Sequence, residues 1–292
     1  MKRREMSRAW VTVLFRICWT VLRCLPLPAA AVLTSWAMRT FAENFTRQDL
    51  IRDNLAKAFP WMSADEVRKT AHAVAGNLGV IAAELCHIED FRGGTRNGRL
   101  IVTGEEQLAL ARAGPVVFVG PHQWNWEIAP LFYCEHGVRV TTIYSRFAND
   151  LMDRTILKQR LKTGAKYVEK RKAVRAMMTA LQNGESLAFV IDQRVKSGLK
   201  VKFFGKDFLM TGVPARLAIR FRCPIVLMDM QRLAGHRFQF ILGDPIYPPE
   251  QSGPDDERQL TQDIATGLEA IIRRSPETWF CNKRRWPEPE AA

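Results

Sequence analysis

The residues whose types and spacing are best suited to chemistry are His122 and Glu127, in the stretch PVVFVGPHQWNWE. A neutral imidazole can take a proton from a hydroxyl group, and a nearby carboxylate can fix the ring tautomer and stabilise the imidazolium that forms. No Ser, Thr or Cys lies between the two residues. We therefore expect His122 to act as a general base, Glu127 to orient it, and a substrate hydroxyl to be the nucleophile.

The sequence before this pair predicts a buried strand that ends in a turn. Val116 to Val119 form a short apolar run between Gly114 and Gly120. Functional groups of α/β enzymes commonly lie beyond the carboxyl ends of strands. This position favours catalysis more strongly than the spacing alone, for which a chance pair with a structural role is the alternative.

Two further predicted strands, Val138 to Tyr144 and Ser186 to Ile191, also end in polar residues. Arg146 follows the first strand, and Asp192 and Gln193 follow the second. An arginine in this position can hold a phosphate or carboxylate through two parallel hydrogen bonds. The Asp and Gln can bind a sugar hydroxyl or stabilise the loops of the site. For all three residues a purely structural role is the alternative.

Helical segments alternate with buried strands after residue 100, which predicts an α/β fold with a mixed, largely parallel central sheet flanked by helices. Before this part, Ser63 and Glu66 predict a capping box ahead of a long amphipathic helix. The clearest loop is FRGGTRNG at residues 91–98. We expect a domain over residues 37–292, helical over 37–95 and α/β over 96–292. His236 falls in a predicted turn between the last strands, where we expect it to face solvent.

The composition limits the class of partner. The 292 residues include 43 Lys plus Arg and 30 Asp plus Glu, a formal net charge of +13 at pH 7, which favours anionic partners. The sequence has no zinc-finger spacing, Gly-rich phosphate loop or RNA-binding aromatic signature, so we expect no nucleic-acid partner. The six cysteines show no CxxC spacing and are typical of reduced thiols in a cytosol-facing protein. We expect no metal.

Residues 1–36 predict a membrane-anchoring helix. A basic start, MKRREMSR, precedes an apolar run that Arg16 and Arg23 interrupt on one helical face. We expect this helix to lie in the interface of an anionic membrane. A single membrane crossing is the second interpretation, and a buried helix is the third. A signal peptide also competes, but the two arginines argue against it.

Several stretches together resemble the lipid A biosynthesis (late) acyltransferases, a branch of the lysophospholipid acyltransferase superfamily. The pattern His122-x-x-x-x-Glu127 is similar to the H-x4-D/E motif of that superfamily, and the resemblance runs from about residue 45 to residue 286. The other stretches that carry it are NLAKAFP at 54–60, LQNGESLAFVIDQ at 181–193, VKFFG at 201–205 and SPETWFCNKRRW at 275–286. The aromatic and basic residues of the last stretch are suited to glycolipid phosphates or to the membrane surface.

The resemblance implies a glycerolipid acyltransferase-like fold and an O-acyltransferase without a cofactor, at the cytoplasmic face of an inner membrane. The implied donor is an acyl carrier protein thioester, with coenzyme A as the open alternative. The implied acceptor is a hydroxyl of a lipid A precursor, a phosphorylated glycolipid. By resemblance, Arg160 helps to position the substrate beside the reaction centre. Acylation of another glycolipid or of a lysophospholipid, and a non-catalytic membrane-binding scaffold, are the alternatives.

Overall fold

In the computed structural model, which describes residues 2–170, 173–251 and 253–287, the chain starts with helices. These are α1 (Lys2–Cys24), α2 (Leu27–Thr40), α3 (Ala42–Phe45), α4 (Gln48–Ala58) and α5 (Ala64–Cys86). Helices α2 and α4 pack against the long helix α5. Residue 36, where the sequence places the end of the anchoring helix, lies within α2.

The capping box predicted at the start of α5 is confirmed. The Ser63 hydroxyl accepts a hydrogen bond from the backbone N–H of Glu66 at 3.3 Å. The Glu66 carboxylate accepts one from the backbone N–H of Ser63 at 2.7 Å. These bonds satisfy N–H groups that the first helical turn leaves without a partner, and they fix where α5 begins.

After a short 3-10 turn at Ile88–Phe91, strands alternate with helices. The elements are β1 (Leu100–Thr103), α6 (Glu105–Ala113), β2 (Val117–Gly120), α7 (Ala129–Glu135), β3 (Val140–Tyr144), α8 (Asp150–Leu161), β4 (Lys166–Glu169), α9 (Ala173–Gln182), β5 (Ser186–Val190), β6 (Leu199–Phe203), β7 (Lys206–Met210), α10 (Val213–Phe221), β8 (Ile225–Leu233), β9 (Arg237–Leu242) and α11 (Asp256–Arg274).

The central sheet has the strand order β1-β9-β8-β2-β5-β3-β4. Strands β8 and β9 pair antiparallel, and the other neighbours pair parallel. Strands β6 and β7 form a separate antiparallel pair. The predicted mixed, largely parallel sheet flanked by helices is therefore confirmed.

Strand β2 lies at the centre of this sheet, between β5 and β8. All four of its residues are buried. The side chains of Val117 and Val119 join one hydrophobic core and that of Phe118 joins the other, as the two-residue period of a strand requires. Because both faces of β2 are covered, its carboxyl end is a rigid platform for the loop that follows.

Helices α1 and α2 expose a set of large apolar side chains. The exposed residues are Val13, Leu14, Ile17 and Val21 of α1, and Val32, Leu33 and Trp36 of α2. An exposed apolar surface of this kind is typical of a protein or membrane contact. Within the described ranges, no helix combines the length and the apolarity needed to cross a bilayer.

Candidate active site

The register of two parallel strands brings His122 and Asp192 together. Strands β2 and β5 are neighbours, and Gly120 of β2 pairs with Val190 of β5. The two polar residues each lie two positions beyond this last pair, on adjacent strands that end at the same edge of the sheet. Residues at equal distances past a parallel pair are held close by the sheet itself.

Asp192 holds the ring of His122. One carboxylate oxygen, Oδ1, accepts a hydrogen bond from the backbone N–H of His122 at 3.1 Å and also contacts the ring atom Nδ1. A proton on Nδ1 makes this contact a hydrogen bond and leaves Nε2 as an acceptor. The ring of His122 is therefore oriented by an aspartate that follows a neighbouring strand.

The other ring nitrogen of His122 faces the side-chain amide of Gln193. The amide oxygen of Gln193 accepts a hydrogen bond from the Lys283 ammonium at 2.8 Å, so its amide nitrogen is directed at His122 Nε2, 3.2 Å away. Nε2 thus accepts a weak hydrogen bond from a neutral amide. A substrate hydroxyl that displaces the amide would find the same lone pair.

The second oxygen of Asp192 is bound by two donors from the end of the chain. Oδ2 accepts from Trp279 Nε1 at 2.7 Å and from Arg285 Nη2 at 2.9 Å. The side chains of Asp192 and Arg285 are both 0 % exposed. Burial alone opposes the charge on Asp192, but the charges of His122 and Arg285, with these hydrogen bonds, hold its pKa well below the usual range.

The contact expected between Glu127 and His122 is wrong. Both carboxylate oxygens of Glu127 bind Arg160, at 2.7 Å from Nε and 2.5 Å from Nη2. Residues 121–128 form a loop and α7 begins only at Ala129, so no helical turn connects the two residues. Glu127 and Arg160 are mostly buried, and a buried charge requires a partner of opposite sign.

Arg160 thus pairs with the second residue of the sequence motif. Burial opposes the charge of its guanidinium, but the adjacent Glu127 carboxylate raises its pKa. The guanidinium also lies over the rings of Tyr144 and Phe147, at 5.9 and 6.0 Å from their centroids. These contacts fix α8 against the loop of residues 121–128, so the structure pairs Arg160 with Glu127 and His122 with Asp192.

A buried polar network lies on the other side of the loop. Glu84 of α5 is 0 % exposed and accepts from Arg232 of β8 at 2.7 and 2.8 Å. It also accepts from the Asn125 amide at 2.9 Å. Next to this contact, Trp124 has the left-handed backbone angle φ of 51°, which costs energy for a bulky residue. The network therefore holds a strained loop conformation in place.

His236 belongs to this network, so its predicted exposure to solvent is wrong. Its ring atom Nδ1 lies 2.9 Å from Glu84 Oε1, and its side chain is mostly buried. The turn prediction was sound in outline, because His236 has the positive φ of a tight turn. No local pattern around His236 indicates its contact with the Glu84 carboxylate on α5, which is far away in the chain.

Arg146 lies beyond the end of β3, as predicted, but its charge is used locally. Its guanidinium pairs with Asp150 at 3.1 Å and with Asp153 at 3.3 Å, both in the first turns of α8. The side chain is 49 % exposed. The substrate-binding role of Arg146 stays a prediction.

Part of the C-terminal aromatic and basic cluster is buried, so the expected contact with lipid is wrong for Trp279, Arg285 and Trp286. Trp279 and Arg285 are fully buried, and Trp286 is 3 % exposed. The basic residues Lys283 and Arg284 of the segment are exposed. A buried arginine needs a carboxylate partner, and Asp192 provides it.

Asn54 explains why two distant motifs occur together in this chain. Its side-chain amide donates to the backbone carbonyls of Cys281 and Lys283, both at 2.7 Å, and its oxygen accepts from the backbone N–H of Arg285 at 3.0 Å. Asn54 belongs to NLAKAFP and its partners to the C-terminal segment. The first motif therefore anchors the second beside His122.

The sequence predicts a substrate-binding role for Asp192, but it does not predict the contact of Asp192 with His122. The usable signal was the equal position of His122 and Asp192 after two predicted parallel strands. The roles of Trp279 and Arg285 gave no such signal, because nothing in their spacing points to β5. Among the described residues, no group of three or more His, Cys, Asp and Glu side chains is arranged to hold a metal ion.

Comparisons with known proteins agree with the motifs. A family model described as bacterial lipid A biosynthesis acyltransferase matches residues 1–288. The phosphatidylinositol mannoside acyltransferase of Mycolicibacterium smegmatis is 22% identical over 92% of this chain and 88% of its own length. The protein of the same name from Mycobacterium tuberculosis (strain CDC 1551 / Oshkosh) is 22% identical over 97% and 91%. The crystal structure of the 1-acyl-sn-glycerophosphate acyltransferase from Thermotoga maritima is 15% identical over 82% of this chain and 97% of that chain, with a TM-score of 0.39.

Proposed function

The chain belongs to the bacterial lipid A biosynthesis acyltransferase family, and on this basis we propose that it transfers a fatty acyl chain from an acyl carrier protein thioester to a hydroxyl of a lipid A precursor. The observation that carries this proposal is the His122 ring, whose Nδ1 contacts Asp192 while Nε2 remains an acceptor. A base in this state can deprotonate a hydroxyl group. The absence of a protein hydroxyl or thiol between His122 and Glu127 is consistent with direct attack by the substrate.

In the proposed mechanism, the acceptor hydroxyl replaces the Gln193 amide at Nε2 of His122. Nε2 takes the hydroxyl proton as the oxygen attacks the thioester carbonyl carbon. The tetrahedral intermediate then collapses, the carbon–sulfur bond breaks, and the imidazolium returns its proton to the leaving thiolate. Asp192 stabilises the imidazolium between the two proton transfers.

The acceptor class is supported by charge. The net charge of +13 favours a phosphorylated glycolipid and an acidic carrier protein over neutral partners. Lys283, next to Gln193, is a cation at the entrance to the base. A second candidate acceptor is a phosphatidylinositol mannoside, since two relatives of similar length carry that substrate in their names.

We propose that the protein acts at the cytoplasmic face of an inner membrane. The exposed apolar side chains of α1 and α2 support an interfacial position, in which a helix buries one face among the lipids without crossing them. The basic residues of the first segment, read from the sequence, favour an anionic lipid surface.

The proposed function is tested by acyl transfer with the purified protein. Donors are one fatty acid on acyl carrier protein and on coenzyme A, and acceptors are a lipid A precursor and a phosphatidylinositol mannoside, with products identified by mass spectrometry. His122→Ala should lower kcat by about 10²-fold or more, the usual scale for loss of a general base. His72→Ala, a histidine of α5 near Glu43, is the matched control and should keep full activity. No ester product with any pair of substrates would refute the proposal.

A further inference from the structure

The two oxygens of Asp192 have different partners. Oδ1 contacts His122, whereas Oδ2 accepts from the Trp279 indole N–H at 2.7 Å and from the Arg285 guanidinium at 2.9 Å. The base and the aspartate follow β2 and β5, but both donors to Oδ2 come from the segment after α11. One carboxylate is thus shared between the catalytic loop and the end of the chain.

We propose that Trp279 and Arg285 are positioning residues, which hold Asp192 against the base and compete for its charge, so that the C-terminal segment sets the pH range in which the base works. The inference rests on the proposed function only in taking His122 as the base. The role differs from packing, because it depends on two N–H groups and not on the volume of the side chains.

The segment is anchored well enough for this role. Besides the Asn54 contacts, the backbone N–H of Phe280 donates to the carbonyl of His122 at 2.7 Å. The Phe280 ring stacks on Trp126, with centroids 5.8 Å apart. The C-terminal segment therefore contacts the loop of the base directly and also through Asp192, so a shift of the segment would move both.

Several charged or titratable groups lie around His122 and Asp192. Asp192 is the anion. Arg285 is the buried cation on Oδ2, and Lys283 lies beyond Gln193. Burial, Arg285 and Lys170 lower the pKa of Lys283. Burial raises the pKa of the Cys281 thiol to about 12, so that thiol carries no charge at neutral pH.

The direction of the effect follows from this arrangement. A donor on Oδ2 withdraws negative charge from the side of Asp192 that faces His122, and so weakens the attraction for a protonated ring. Removing the donor leaves more charge for the imidazolium, which becomes easier to form. The base must be neutral to accept a proton. The acid-side midpoint of the activity profile would therefore move to a higher pH.

The chain supplies a matched pair of variants. Trp279 and Trp286 both lie in the aromatic cluster around Phe203 and Phe204. Trp279 donates to Asp192, whereas the indole N–H of Trp286, within the described part of the chain, reaches no acceptor. Trp279→Phe and Trp286→Phe therefore remove the same atoms from the same cluster, and only the first removes a hydrogen bond to the carboxylate.

Two readouts are needed. The first is kcat/KM against pH, and the second is the titration of the His122 ring by NMR, assigned by its absence in His122→Ala. In Trp279→Phe both midpoints should rise, by a few tenths to about one pH unit, the scale of one altered charge contact. Above the midpoint, kcat should recover toward the wild-type value. Trp286→Phe should leave both midpoints in place.

The inference is overturned if the midpoints of folded Trp279→Phe equal those of the wild type, or if Trp286→Phe shifts them equally. If Trp279→Phe does not fold, 3-benzothienylalanine at position 279 keeps the indole shape without its N–H and gives the same test. The NMR titration needs no substrate. A protein without acyltransferase activity would therefore refute the proposed function, and the titration would still decide whether the Trp279 N–H acts on His122.

Discussion

Two buried carboxylates, Asp192 and Glu127, contact different partners around the loop of residues 121–128. Asp192 places one oxygen on the ring of His122 and the other on donors of the C-terminal segment. Glu127 places both oxygens on the guanidinium of Arg160. Spacing along the chain predicted Glu127 as the partner of the base, but the register of β2 and β5 selects Asp192.

The difference shows that spacing along the chain is enough to predict the loop that carries His122. The partner of His122 is determined by the register of the sheet. Glu127 is five positions from His122, yet the intervening loop carries it toward α8. Asp192 is separated from His122 by 70 positions, yet the adjacent parallel strand brings it within contact. Both oxygens of Glu127 bind Arg160, so this carboxylate is directed at α8 and not at the imidazole.

The largest expected effect separates the two carboxylates by activity. Asp192→Asn should lower kcat by about 10²- to 10⁴-fold, because the neutral amide neither fixes the tautomer nor stabilises the imidazolium. Glu127→Gln should cost less than about 10-fold, since it acts only through the loop position. Steady-state kinetics of the folded variants with a saturating donor measures both.

A double variant makes this comparison stricter. His122→Ala combined with Asp192→Asn should be no slower than His122→Ala alone, because residues that act as one unit are not additive. If Glu127→Gln instead loses as much activity as Asp192→Asn, and shows the same non-additivity with His122→Ala, then Glu127 must reach the base during turnover. The direct His–Glu interpretation would then be restored.

The second effect separates the carboxylates by stability. Arg160→Met should lower the free energy of unfolding by about 3–5 kcal/mol, because it leaves the charge of Glu127 buried without a partner. Adding Glu127→Gln should recover much of this loss. Urea unfolding measures both. Arg258→Met is the control: its pair with Asp255 is exposed on both sides, so the change should stay within about 1 kcal/mol. Equal losses in Arg160→Met and Arg258→Met would contradict the buried pair.

The sequence was sufficient for the features that depend on local pattern. The apolar run of β2, the capping box of Ser63 and the polar residues after β5 were all predicted from types and spacing, and the structure contains them. The sequence was insufficient to predict contacts between residues that are far apart in the chain. Asn54 and Cys281 are 227 positions apart, and no local signal distinguishes a buried arginine such as Arg285 from the many exposed ones.

The same limit explains why His236 and part of the C-terminal segment are more buried than expected. His236 and the C-terminal segment both look like surface in sequence, because a turn and a basic cluster are usually solvated. In the fold each meets a buried carboxylate, Glu84 in the first case and Asp192 in the second. Buried polar groups are stable only when their partners are present, and those partners are fixed by tertiary structure.

The smallest expected effect compares Asp192 with another buried aspartate, Asp229. Asp229 pairs with Arg274 at 2.9 Å, yet burial outweighs this partner and raises its pKa. Arg274 is half exposed, so its charge is screened by water. A buried arginine as partner, together with an imidazole, instead lowers the pKa of Asp192. The two aspartates should therefore contribute to stability with opposite dependence on pH.

The pH dependence of each contribution to stability follows from the difference between the folded and unfolded pKa of the aspartate. The pKa of Asp192 is lower in the folded than in the unfolded protein, so its stabilisation is complete above the unfolded value of about 3.9 and is lost only as pH falls below it. The pKa of Asp229 is higher in the folded protein, so its contribution is favourable at low pH and is lost as pH rises through the folded value.

Urea unfolding between pH 2.5 and 7 of wild type, Asp192→Asn and Asp229→Asn measures the differences. The advantage of the wild type over Asp192→Asn should grow with pH below about pH 4 and then stay level, whereas its difference from Asp229→Asn should fall as pH rises above that value. If both differences change in the same direction, the environment of Asp192 is not the distinguishing feature of the site.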